Sequence, residues 1–198
     1  GFAIGPAEHA DAVSKVLGDR AVDAILITHH HLDHTGALPT FLERFAAPVR
    51  AADEHWCQDA LPLVDGEVLT GGGTRIRAVA TPGHTSDSMS FFIPEDNAAP
   101  HPGGTVLTGD TILGEGTTML DYPDGTLAEY FESLATLAAL EGAGRQVAVL
   151  PAHGPTLASV ARTAQEYREH RLERVEQVRE LITGLPPILS PVDWESVV

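Results

Sequence analysis

The residues best able to do chemistry in this 198-residue chain are its ten histidines, set beside a single lysine, Lys15. Six of them, with two aspartates, fall in four short segments: His29-His30-His31-Leu32-Asp33-His34, Pro82-Gly83-His84, Gly109-Asp110 and Pro151-Ala152-His153. Imidazole nitrogens suit zinc, and a carboxylate can join two ions while partly neutralising them. An extended backbone through His29-His30-His31 turns the first and third imidazoles to the same side, so that they can share one ion. Asp33 and His34, in the turn that follows, can reach a second. His30 points away by the same alternation. A histidine tract can also be a tag or an accidental metal binder, but this one is interrupted by Leu32 and Asp33 and follows the apolar run 22–28, which a tag does not.

Something must bring these segments together, and the runs that precede them suggest what. Strand-like stretches 22–28, 74–81, 105–108 and 147–150 deliver, in turn, the first histidine cluster, His84, Asp110 and His153. Ligand-type side chains therefore collect at the carboxyl ends of strands, where rigid scaffold holds loops whose side chains remain free to converge. Two further strand-like runs are 49–52 and 89–93. Apolar residues recur at helical spacing over 7–17, 35–45 and 126–140, the last with Leu127, Tyr130, Phe131, Leu134, Leu137 and Ala138 on one face. A longer amphipathic helix is expected over 156–183, ended by Gly184 and blocked by Pro186, Pro187 and Pro191. Nineteen glycines and 14 prolines imply many short elements joined by turns. Strands alternating with helices point to an α/β protein.

At 43% hydrophobic and 20% charged, with a mean hydropathy of −0.01, the chain can bury a core and is neither a disordered acidic tail nor a membrane protein. Its first ten residues lack the basic and apolar regions of a signal peptide. One cysteine, Cys57, allows no internal disulfide and fits a reducing compartment, so a cytoplasmic location is expected. The formal charge is −16. Residues 1–155 hold seven basic and 21 acidic side chains, a net of −14, whereas five arginines balance five glutamates over 156–183. Such acidity repels phosphates and opposes strong nucleic-acid binding. A ribonuclease would need a local basic strip, for which Arg162, Arg168, Arg171 and Arg174 are the candidates. Their interleaved glutamates read better as a solvated helix face.

His29-x-His31-x-Asp33-His34, Pro82-Gly83-His84-Thr85, Gly109-Asp110 and Pro151-Ala152-His153-Gly154, in that order, resemble the metallo-β-lactamase superfamily. The resemblance implies an αββα sandwich, with His29, His31 and His84 on one metal ion, Asp33, His34 and His153 on the other, and Asp110 between them. It implies two Zn²⁺ per chain, with iron or manganese as alternatives. Asp110 stands where the best-known β-lactamases of the family carry cysteine, which disfavours antibiotic hydrolysis. The run Gly109-Asp110-Thr111-Ile112-Leu113-Gly114-Glu115-Gly116-Thr117-Thr118, with Tyr130-Phe131-Glu132-Ser133-Leu134 and His170-Arg171, is similar to a narrower branch that includes a single-strand endoribonuclease. Glyoxalase II is a more distant relative. The expected organisation is a catalytic domain over 1–155, then the long helix and a partial winged-helix-like appendage over 156–198. The family opens with a strand hairpin and an Asp-x-Gly turn, but Ala3-Ile4-Gly5-Pro6 has no aspartate there, so one sheet is expected to be incomplete.

The expected function is a dinuclear zinc hydrolase that uses a metal-bridging hydroxide on an ester-like bond: acyl, thioester or phosphodiester. Asp33 and Asp110 carry the catalytic roles, the latter joining the ions and orienting the nucleophile. The substrate is a small ester or thioester, or single-stranded RNA, and no membrane is involved. A mononuclear iron dioxygenase and a non-catalytic metal-dependent scaffold are the rivals. Thr85, Ser86 and Asp87 are expected to support the ligands, and the 114–118 loop to offer N–H groups to an anionic substrate. His9, His30, His55, His101 and His170 are expected to hold no metal.

Overall fold

A computed structural model describes residues 5–96, 103–142 and 144–183. The elements run α1 (Pro6–Leu17), β1 (Ile25–Leu26), α2 (Leu32–Thr35), α3 (Leu38–Phe45), β2 (Val49–Arg50), a 3₁₀ turn (Glu54–Trp56), β3 (Val68–Gly71), β4 (Thr74–Ala80), β5 (Met89–Ile93), β6 (Thr105–Gly109), α4 (Leu127–Ala138), β7 (Ala148–Pro151) and α5 (Val160–Thr183). Strands β1 and β2 pair in parallel; β3 to β7 form a second sheet in sequential order, antiparallel except for the β6–β7 pair. That parallel pair needs a crossover, which α4 supplies.

Period-two alternation builds the layers. On neighbouring positions Val79, Phe92 and Val106 face one core, shared with Tyr130, Leu134 and Leu137 of α4 and Val160, Ala164 and Tyr167 of α5. Ala78 and Phe91 face the opposite way, with Leu107 packed against them, toward Leu26 and Ala52 from the small-sheet region. A third cluster places Ile27, Val49 and Ala51 against Leu38 and Leu42 of α3. Helix, sheet, sheet and helix are thus stacked, the αββα order expected from the sequence. α1 rests on α3 through the Arg44–Asp11 ion pair at 2.6 Å and an edge-on His9–Phe41 contact.

Several boundaries differ from the sequence reading for local reasons. The long helix starts at Val160 rather than 156, because Leu157 bridges Val149 through both backbone groups and Ser159 then caps the first turn, its Oγ accepting from the Arg162 N–H at 3.1 Å. The expected 35–45 helix begins only at Leu38, as α3, with Pro39 in its first turn; Thr35 instead closes the separate single turn α2, and Gly36 and Ala37 lie between them. Only Ile25 and Leu26 of the 22–28 run are paired. Strand β3 was not expected: it is short and largely exposed, joined to β4 by the Gly72-Gly73 turn. Among the described residues no helix is long and apolar enough to cross a membrane. The expected appendage after 183, the prolines beyond it, His101 and the Ala3-Ile4 turn lie outside the described residues.

α4 ties the core to two site loops. The Tyr130 hydroxyl donates to the Thr111 carbonyl at 2.8 Å, and Ser133 Oγ donates to the Pro82 carbonyl at 2.6 Å. Gly83 permits this approach: its φ is +125°, and a Cβ there would sit 2.4 Å from the Tyr130 Cα. Gly83→Ala is therefore expected to cost about 2 to 4 kcal/mol of stability, from backbone strain plus overpacking. Equilibrium urea unfolding checks this, and an unchanged midpoint would contradict the packing described.

Candidate metal centre

Every residue singled out from the four segments comes to one end of the sandwich. His29 follows β1 by three residues, His84 follows β4 by four, Asp110 directly follows β6, and His153 follows β7 by two. His31 precedes the single turn α2, which carries Asp33 and His34. Gly109, with φ +51°, lets the end of β6 pass close to Thr28; a Cβ would meet the Thr28 Cβ at 2.8 Å. The His29 and Asp110 loops are thereby held together.

His29 Nε2, His31 Nδ1 and His84 Nε2 form a triangle with edges of 3.2, 3.1 and 3.2 Å. A hydrogen bond does not account for its His31–His84 edge. The Met119 carbonyl can only accept, so His84 Nδ1, 2.5 Å away, carries the proton and Nε2 offers a lone pair. An ionised Asp121 can likewise only accept, so His31 Nε2, 3.2 Å from Oδ2, carries its proton and Nδ1 offers a lone pair. Two lone pairs thus face each other at 3.1 Å. A cation between them turns repulsion into coordination. Four tetrahedral ligands about 2.0–2.1 Å from zinc stand about 3.3–3.4 Å apart, close to the edges of this triangle.

The second group is Asp33, His34, Asp110 and His153, whose ligand atoms lie within 4.8 Å of one another. His153 Nε2 is 3.1 Å from Asp33 Oδ2 and 3.5 Å from Asp110 Oδ1; His34 Nε2 is 3.4 Å from each of the same oxygens. Asp110 Oδ2 turns the other way, 3.8 Å from His84 Nε2. One carboxylate therefore faces both groups. His34 Nε2 and Asp110 Oδ1 are buried and lack a hydrogen-bond partner, which a bound ion would relieve. The donor sets thus fit two metal ions on an observation independent of motif spacing.

Exposure separates the two groups. His29 and His84 are buried, whereas the side chains of His153 and Asp33 are 52% and 58% exposed. Burial, reinforced by His34 and His84, lowers His29 to a pKa of about 3. Burial also lowers His84. Burial pushes Asp110 upward, but the adjoining His34 ring and the charges of His153 and His29 outweigh it and leave the carboxyl below its ordinary value. Both buried histidines are thus neutral and the shared aspartate ionised, the forms that bind metal.

The supporting residues are partly unlike those expected. Asp87 does not touch the seven ligand candidates; its Oδ1 takes His30 Nδ1 at 2.9 Å and the Thr85 hydroxyl at 2.8 Å. Ser86 binds Asp124. In the 114–118 loop the Gly114 N–H is taken by the His153 carbonyl, and the preceding Leu113 N–H by the Tyr167 hydroxyl, so neither is open to a substrate. Sequence reasoning missed Asp121 and the Met119 carbonyl, which carry no spacing signal. It also missed Thr28, whose Oγ1 lies 3.1 Å from His29 Nδ1 and was visible only as the residue before the cluster. His9 and His55 contact Phe41 and Trp56. His170 Nδ1 is buried without a hydrogen-bond partner and belongs to no metal-ligating group among the described residues.

Of the four arginines considered for a basic strip, Arg171 is half-buried and the other three are exposed, each with a partner on the protein. Arg171 donates to the Thr118 carbonyl, Arg168 lies over the Phe131 ring, Arg162 pairs with Glu166, and Arg174 binds Gln177.

Comparisons with known proteins agree with this geometry. The match to the family described as "Metallo-beta-lactamase superfamily" covers residues 4–153. Relatives include an atrochrysone carboxyl ACP thioesterase of Aspergillus fumigatus, 35% identical over 73% of this chain and 42% of its own length. A lactamase-like protein of Penicillium aethiopicum is 37% identical over 85% of this chain and 50% of its own. The chain thus spans half or less of the curated relatives it matches. A metallo-beta-lactamase family protein from Thermus thermophilus superimposes with a TM-score of 0.69 at 26% identity, over 88% of this chain and 70% of that one.

The buried neutral histidines make metal-free stability pH-dependent. Unfolded, these rings take up protons near their ordinary value of 6.5; folded, His29 resists protonation to about 3. The unfolded state therefore binds more protons between these limits, and stability falls as pH drops below about 6.5. The urea midpoint of chelator-stripped protein is expected to decrease from pH 7 to pH 5, with a shallower decrease for His29→Gln. A flat or rising midpoint would contradict the assigned protonation states.

Proposed function

The chain belongs to the metallo-β-lactamase superfamily, and on that premise we propose that it is a dinuclear zinc hydrolase of small acyl thioesters. The observation carrying the reading is the single carboxylate of Asp110 between a three-histidine set whose His29 and His84 are buried and a second set, Asp33, His34 and His153, whose Asp33 and His153 are exposed. His29, His31 and His84 would hold one ion; Asp33, His34 and His153 the other. Bound zinc supplies a nucleophilic water at neutral pH and a Lewis acid for the scissile carbonyl. The chain's own part is positional and electrostatic. His29 and His84 stay neutral through burial, Asp110 stays ionised, and the exposed Asp33 and His153 leave one side of the centre open to substrate.

Two observations favour an apolar acyl group. Leu32, Met119 and Tyr122, each adjacent in sequence to a residue of the centre or its support, are 81%, 65% and 84% exposed. Large apolar side chains left in water beside a site suit a nonpolar substrate portion. Relatives from two Aspergillus species are named atrochrysone carboxyl ACP thioesterases. RNA is the weaker reading, since a charge of −16 repels phosphates and the four arginines considered for a strip are engaged within the protein.

Purified protein assayed against acyl thioesters, single-stranded RNA and oxygen uptake tests the proposal. Thiol release is expected. Asp110→Ala should lower it at least about 100-fold, because loss of a ligand exceeds the 10–100-fold typical of outer partners. RNA cleavage or oxygen consumption without thiol release would overturn it.

A further inference from the structure

Residues 113–121 run from the C-terminal helix to the metal centre and are tied at both ends. On the helix side, the Tyr167 hydroxyl accepts the Leu113 N–H at 3.1 Å and lies 2.9 and 2.8 Å from the Leu113 and Gly116 carbonyls. One turn further along α5, Arg171 donates to the Thr118 carbonyl, with its guanidinium 5.6 Å from the Tyr130 ring centroid. On the metal side, the Met119 carbonyl accepts from His84 Nδ1 and Asp121 Oδ2 accepts from His31 Nε2. Asp121 is itself fixed through its backbone, its N–H donating to the His84 carbonyl at 2.9 Å and its carbonyl accepting from Gly125 at 2.9 Å. Residues 118–121 thus hold two of the three histidines of the inner set, and α5 holds residues 113–118.

We propose that this segment is a brace through which α5 fixes the three-histidine ion, with Asp121 as the positioning residue for His31 and Arg171 as the anchor on α5. The inference rests on the metal-centre reading above and concerns the inner ion alone. A histidine must present a chosen nitrogen at a fixed angle, and a partner on its other nitrogen sets both tautomer and ring orientation. For His31 that partner is a carboxylate, 43% exposed, held in place by its own backbone bonds. For His84 it is a carbonyl one residue beyond the one that Arg171 grips. Breaking either end of the brace should reach the ion without removing a ligand.

The test is zinc and cobalt titration of the metal-stripped full chain against a chromophoric chelator, with the cobalt visible spectrum as the geometric readout. Asp121→Ala is expected to weaken one ion by about 10- to 100-fold, the range seen for outer partners of metal-bound histidines. Asp121→Asn, which keeps an acceptor for His31 Nε2, should recover most of that loss. Arg171→Met should weaken the same ion and alter the same cobalt band, less than additively with Asp121→Ala. Circular dichroism and urea unfolding of each stripped variant identify one that has failed to fold, and Asp121→Asn then carries the decision through its cobalt band. Wild-type affinity in Asp121→Ala, or Asp121→Asn as weak as Asp121→Ala, would overturn the brace. A wild-type chain holding one ion sinks the dinuclear reading and leaves the brace to be judged on that ion; one holding none sinks both.

Discussion

The whole site follows from one electrostatic constraint: ring nitrogens that have no proton between them are held about 3 Å apart. His84 and His31 spend their protons outward, on the Met119 carbonyl and Asp121, so that their inner nitrogens confront each other as lone pairs. Protonation that would relieve the conflict is opposed by burial at His29 and His84. A cation resolves the conflict. Much of the surrounding structure can be understood as keeping the conflict in place when no cation is bound. The Tyr130 contacts from α4, the close passage of Gly109 by Thr28 and the backbone bonds around Asp121 all press these loops together.

The layers explain why one end of the molecule bears this burden. Strands β4, β6 and β7 leave the large sheet in the same direction, and β1 approaches from the small sheet, so ligands from both sheets meet at one end of the sandwich. In the inner set His29 and His84 are buried, while Asp33 and His153 of the outer set stand at the surface. This asymmetry makes the proposed chemistry workable, because a shielded set can secure an ion while an open set can admit a substrate. It also changes how the acidity of the chain is understood. Asp33 and Asp110 are held among histidines, but the remaining charge still covers the surface and repels polyanions.

What the sequence revealed and what it hid divide along physical lines. Side chains that must converge on a point were legible, because alternation around His30 and recurrent strand ends are geometric requirements written into spacing. So was the apolar face of α4, whose Tyr130, Leu134 and Leu137 are fully buried. Elements set by one or two backbone bonds were not. The start of α5 depends on the Leu157–Val149 bridge, the break between α2 and α3 on Gly36, and β3 on pairing with β4 alone. The partners of the histidines were the least visible of all. Met119 contributes a carbonyl, which any residue could supply, and Asp121 lies 90 residues from His31. Asp87, which looked like a ligand support beside His84, turns to His30 instead.

The central claim is that Asp110 stands between two metal ions, one in each ligand set. Anomalous diffraction from crystals of zinc-loaded protein, recorded on both sides of the zinc absorption edge, tests it most directly. The account predicts two peaks about 3.5–4 Å apart, one within the His29, His31 and His84 triangle and one among Asp33, His34 and His153, with the Asp110 carboxylate between them. A single peak, or a second one away from Asp110, would contradict it.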